Sequence, residues 1–158
     1  MRNGERTCFK GVLQCTDFIS INKRLDPGGK HGKHLSAACV REMEELNKSL
    51  ERIGIVKGCL SSDKSLYGIS YVFYLKTNVL KRDIDNLVKT PTDVITRYLG
   101  INDSRIISYK LCKRMLVNYP PDIPQKEYLV FELERMPRTI ENLKVFFKDF
   151  IERFRKST

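Results

Sequence analysis

The chain predicts a small α/β fold of the α+β kind, with a mixed sheet flanked by helices and an added C-terminal helix. Three observations point there. Stretches of strand-like character and stretches with helical spacing follow one another along the chain. The run 65–77 is dense in Tyr, Phe, Ile and Val, the side chains that suit a pleated sheet. The length, 158 residues with 41% apolar content, fits one domain with a modest core.

Residues 7–17 alternate loosely and read as a first strand. Residues 22–34 form a loop rich in Gly and basic side chains, N-K-R-L-D-P-G-G-K-H-G-K-H. Ser36 is a good N-cap for a helix to about Arg52. Gly54 and Gly58 end that region, and 61–64 is a polar connection. The strand 65–77 is almost continuously apolar, which predicts burial on both faces. Residues 83–99 read as a helix with Gly100 as its stop. Within it, Thr90-Pro91-Thr92-Asp93 looks like a second start: Thr90 as N-cap, Pro91 as first helical residue and Asp93 near the positive end of the dipole. Residues 105–117 read as a strand, followed by the Pro-rich turn 119–124. Residues 127–134 alternate and are expected to close an antiparallel hairpin with the strand before them. Thr139 caps a final helix to about Arg155.

The net charge of +10 and a pI near 9.5 suit a polyanionic partner. No apolar run approaches the ~18 residues that span a bilayer, so no membrane partner is expected. The opening Met1-Arg2-Asn3-Gly4-Glu5-Arg6 leads into no secretory apolar core. A soluble intracellular protein, cytoplasmic or nucleoid-associated, is expected. The cysteines Cys8, Cys15, Cys39, Cys59 and Cys112 form no C-x-x-C pair and have only His31 and His34 for company, so a zinc site is not expected.

The chemistry sits in Lys81-Arg82-Asp83-Ile84-Asp85-Asn86-Leu87-Val88-Lys89. In extended backbone Asp83 and Asp85 point the same way. Two carboxylates held together repel unless a cation lies between them. Mg2+ takes one or two carboxylates plus waters and substrate phosphate. Lys89, four residues after Asp85, shares a helix face with it and reaches toward a scissile phosphate. Asp103, in the turn Gly100-Ile101-Asn102-Asp103-Ser104-Arg105, is placed to return to the helix start. Such a group suits metal-assisted phosphodiester hydrolysis. The same residues have a plainer reading: D-x-D before a helix caps it and complements its dipole, and Asn-Asp-Ser is ordinary turn composition.

The run D-I-D-N-L-V-K, then Asp93, then G-I-N-D-S-R-I resembles the RusA family of Holliday junction resolvases. Members show D-[LI]-D-N-L-x-K, a helical Asp ten residues after the first, and a D-D-S/A-Q-[IV] turn. Ser20-Ile21-Asn22-Lys23-Arg24 and His34-Leu35-Ser36-Ala37 are similar to the family's S-x-N-x-x-Y segment and L-S-x helix start. The resemblance covers about residues 7–136. It implies a small α/β homodimer that nicks four-way DNA junctions symmetrically with Mg2+, Mn2+ being an alternative ion. It assigns Asp83, Asp85 and Asp103 as metal-binding catalytic carboxylates and Lys89 as the essential basic residue. Asn102 stands where the family commonly has an Asp, and Leu25 near where an aromatic is common.

Two units are expected: 1–136 as the nuclease domain and 137–158 as a C-terminal helical extension packed on the domain or across a dimer. That extension carries Leu143, Phe146, Phe147, Phe150, Ile151 and Phe154 at helical spacing. Asn22, Lys23, Arg24, Lys30 and Lys33 are the expected DNA-backbone contacts, which supply affinity rather than sequence choice. The alternatives to a junction resolvase are a flap or fork nuclease and a non-catalytic nucleic-acid-binding module of the same fold.

Overall fold

The computed structural model describes residues 7–26, 34–77, 79–116, 126–136 and 148. Its fold is mixed α+β. The described strands are β1 (Thr7–Cys15), β2 (Leu25–Asp26), β3 (His34–Leu35), β4 (Tyr67–Leu75), β5 (Ile106–Met115) and β6 (Glu127–Arg135). The helices are α1 (Ala37–Arg52) and α2 (Lys89–Leu99). The main sheet has the order β1-β6-β4-β5; β2 and β3 form a separate two-stranded ladder. The predicted extension 137–158, apart from Lys148, and the predicted contacts Lys30 and Lys33 lie outside the described residues.

β6 does not form the expected hairpin with β5. It pairs antiparallel with both β1 and β4, while β5 pairs parallel with β4. Burial explains the exchange. Leu129, Phe131 and Leu133 of β6 are at most 1% exposed, a side chain set that needs strands on both flanks. β5 carries exposed Lys110, Cys112, Arg114 and Met115, and charged side chains suit an edge. A parallel β4–β5 pair needs a crossover, which α2 supplies. The predicted loop 22–34 also departs from expectation, since it contains a 3-10 turn (Ile21–Lys23) and the β2–β3 ladder.

One face of the sheet builds the core. Ile69, Tyr71 and Phe73 of β4 stand beside Leu133, Phe131 and Leu129 of β6, and Leu13 of β1 stands beside Leu129. These side chains share one buried cluster with Leu46 and Leu50 of α1 and Ile95 and Leu99 of α2. Each such burial is worth about 1.5–3 kcal/mol. The other face is only half-buried at Ser70, Val72, Tyr74, Tyr128 and Val130, so β4 is not sealed on both sides as its composition predicts.

The ends of α1 and α2 follow local chemistry. Ser36 caps α1 by accepting from the Cys39 N–H at 3.2 Å. Gly100 closes α2 at φ +80, where a side chain would be strained and would also crowd Ser61 Cβ at 3.0 Å. The last carbonyls of α2 are used: the Gly58 and Leu60 N–H groups donate to Tyr98 and Leu99 at 2.8 and 2.9 Å.

A buried ion pair ties β6 to the acidic segment. Glu127 is 0% exposed. Its carboxylate accepts from Arg82 Nη2 at 2.9 Å and from the Phe18 and Lys76 N–H groups at 2.8 and 3.1 Å. Lys113 Nζ of β5 donates to the Arg82 carbonyl at 2.6 Å. Arg82 is thus fixed from two strands, and Asp83 follows it directly.

Candidate active site

The segment before α2 is coiled rather than extended. Asp85–Leu87 is a 3-10 turn, with the Asn86 N–H donating to the Asp83 carbonyl at 3.2 Å. Residues two apart therefore do not share a direction here as they would in a strand. Asp85 lines the cavity beside α2, and Asp83 is not among its lining residues. Asp83 is exposed and accepts from Asn86 Nδ2 at 3.4 Å.

α2 begins at Lys89 rather than at Pro91. Its cap is Val88, with no side-chain hydrogen bond. Pro91 is tolerated because the N–H groups of the first turn have no partner within the helix. Thr90 is not the cap: it is buried, with Oγ1 3.9 Å from Cys39 Sγ. Asp93 consequently lies past the first turn, and its work is not dipole complementation.

Asp93 joins two cations. Its Oδ1 lies 2.8 Å from Lys89 Nζ, and its Oδ2 accepts from Arg24 Nη2 at 2.5 Å. Burial pushes the Asp93 carboxyl up, but Lys89 and Arg24 together prevail and hold it below the usual range. Lys89 is raised, first by its bond to Asp93. The expected return of Asp103 to the helix start is found, with Asp103 Oδ2 3.6 Å from Lys89 Nζ. The result is a chain of alternating charge, Arg24–Asp93–Lys89–Asp103. Arg24, expected on DNA phosphates, is turned inward at 14% side-chain exposure, while Asn22 and Lys23 are exposed.

Asp103 opens a 3-10 turn capped by Asn102, whose side-chain oxygen accepts from the Ser104 N–H at 2.9 Å. The amide at this position is therefore occupied by the turn itself. Asp85, Lys89, Asp103, Thr92, Ser104 and Tyr109 line a cavity of about 360 Å3, walled further by Ile21 and Val88.

Among the described residues no three Asp, Glu, His or Cys side chains are grouped as a metal cage. Asp85 and Asp103 on one open cavity still match the donor set of Mg2+, which uses one or two carboxylates and keeps several waters. Sequence reasoning gives no part in the cavity to Thr92, Ser104 or Tyr109, and none to Asp93 as a joint between cations. Only Asp93 left a local signal, its i+4 spacing from Lys89. No protein-family model matches the chain, and no curated protein matches it.

Proposed function

We propose that the chain is a RusA-like, Mg2+-dependent endonuclease acting on branched DNA. The observation that carries this reading is one open cavity bearing Asp85, Asp103 and Lys89 on a chain of net charge +10. Asp85 and Asp103 would hold the ion, with Asp83, by the resemblance, as a third ligand from the preceding turn. A bound Mg2+ would supply a Lewis acid at the scissile phosphate.

The reaction is hydrolysis. Water adds at phosphorus and gives up a proton, the bond to the 3′ oxygen breaks, and the leaving oxygen takes up a proton. Lys89 puts a positive charge where the phosphoryl oxygens gather negative charge. Asp93 and Asp103 keep that ammonium at the cavity rather than in bulk solvent. A four-way junction presents two strands related by two-fold symmetry, which suits a homodimer with one site per protomer.

The test is nicking of synthetic four-way, forked and linear DNA with and without Mg2+. Asp85→Asn and Asp103→Asn are expected to lower cleavage about 100-fold or more while junction binding persists. Wild-type rates in either variant would sink the assignment. The absence of a three-carboxylate cage among the described residues favours one second reading, a binding module without turnover. Binding of junctions with no nicking in Mg2+ or Mn2+ would select it.

A further inference from the structure

The cavity beside Lys89 is larger than the chemistry of one cation requires. It is open to solvent and measures about 360 Å3, room for more than a hydrated divalent ion. Part of the remaining wall is apolar. Ile21 and Tyr109 both line the cavity, and each is 44% exposed. Large apolar side chains left half-open on a polar cavity mark the contact of a ligand that has a flat or apolar part of its own.

Tyr109 shares the cavity wall with Thr92, whose Oγ1 lies 3.1 Å from the hydroxyl of fully buried Tyr71. The backbone of Tyr109 is fixed by the β4–β5 ladder, where it stands beside Ile69, so the half-open ring is presented from a rigid element.

Resting on the endonuclease reading above, we infer that this cavity takes in one unstacked nucleobase of a nucleotide flanking the scissile phosphate, with Tyr109 as its stacking surface and Ile21 as apolar wall. The charge of +10 selects a polyanion, and every base of that polyanion carries a π-face. Its phosphate would stand at Asp85, Lys89 and Asp103, which line the same cavity. The hydroxyls of Thr92 and Ser104, also in the lining, can donate to or accept from a base edge. Extruding a base costs least where stacking is already interrupted, so a branch point is the place where this cavity fills at least expense.

The experiment is a cycle between a side chain and a base. Junction affinity and nicking rate are measured for the full chain and for Tyr109→Ala, each on junctions with normal or abasic nucleotides at the two positions flanking the nick. With the wild-type chain, the abasic change at one of these positions is expected to weaken binding about ten-fold. With Tyr109→Ala the same change should have no effect, and Tyr109→Phe should behave as wild type. Ile21→Ala repeats the cycle should Tyr109→Ala fail to fold. Equal abasic penalties in wild type and variant, with wild-type nicking intact, would overturn the base pocket and leave the endonuclease reading standing. A wild-type chain that neither binds nor nicks junctions would overturn both.

Discussion

Two charged clusters are built from the same chemistry and do opposite things. At Arg82–Glu127 the carboxylate is 0% exposed and both its oxygens are used, by the guanidinium and by two backbone N–H groups. At Lys89–Asp103 the side chains are 45% and 54% exposed and 3.6 Å apart. A buried charge that is fully bonded has no capacity left for a ligand, and breaking it strands its partner away from water. An open, loosely paired charge contributes little to stability and can exchange its partner for a phosphate. Burial and satisfaction, rather than the presence of charge, therefore distinguish a structural pair from a candidate site in this molecule.

The sharpest way to break the comparison is Glu127→Gln. It keeps the shape and leaves Arg82, 18% exposed, without its counter-charge. A loss of about 3–5 kcal/mol is expected, read as a lower urea midpoint at unchanged slope. A loss below ~1 kcal/mol would place this pair in the same class as the open one.

Glu42 of α1 sharpens the comparison, because it feels Arg24 of the open cluster as well as Arg82 and Glu127 of the closed one. It is 1% exposed, accepts from the Ile19 N–H at 3.1 Å through Oε2, and its Oε1 has no partner among the described residues. Burial pushes its carboxyl from 4.5 up to about 8. Between those values the folded chain keeps a proton that the unfolded chain has released. Its contribution to stability is therefore fully present below 4.5 and is lost as pH rises toward 8. Glu42→Gln should remove this slope, raising stability relative to wild type at pH 8 by an amount on the order of 3 kcal/mol. Thermal unfolding of both proteins from pH 5 to 8 checks it, and parallel curves would show that Glu42 is ionised throughout.

The smallest effect is expected at Asp93→Asn. Stability should fall by about 2 kcal/mol, because Asp93 and Arg24 are each only 14% exposed, while nicking slows about ten-fold as Lys89 loses its main support. Because Asp93 raises Lys89, its removal should move the alkaline limb of the rate profile to lower pH. A slower enzyme with an unmoved pH profile would mean that Asp93 only anchors Arg24.

The helices and strands were legible because their signals are local. Ser36 at a helix start, Gly100 at a helix end and the aromatic run of β4 each act within a few residues. The order of the strands was not legible. Nothing near residues 127–135 says that they lie between β1 and β4 rather than beside β5; that choice is made by Leu129, Phe131 and Leu133 finding Leu13, Ile69 and Phe73. The site divides in the same way. Asp85, Lys89 and Asp103 could be read from spacing and resemblance. The Arg24–Asp93 bond spans 69 residues and the Arg82–Glu127 bond spans 45. The supports of the candidate site are therefore hidden in the sequence while the charged side chains that line it are visible. Asp83 shows the converse, since the turn at Asp85–Leu87 replaces the extended backbone that the spacing of Asp83 and Asp85 predicts.

The position of β6 also sets a timetable. Among the described residues β1 has no neighbour in the sheet except β6, so β1 must wait for a strand made more than a hundred residues later before it can pair. Contacts of such long sequence separation fold slowly, because the chain loses the entropy of a large loop before any bond compensates it. The Arg82–Glu127 bond closes in that same late event. The turn bearing Asp85 is thus secured only after Glu127 has been synthesised, and a nascent or truncated chain lacking β6 would carry the cavity residues without the frame that assembles them.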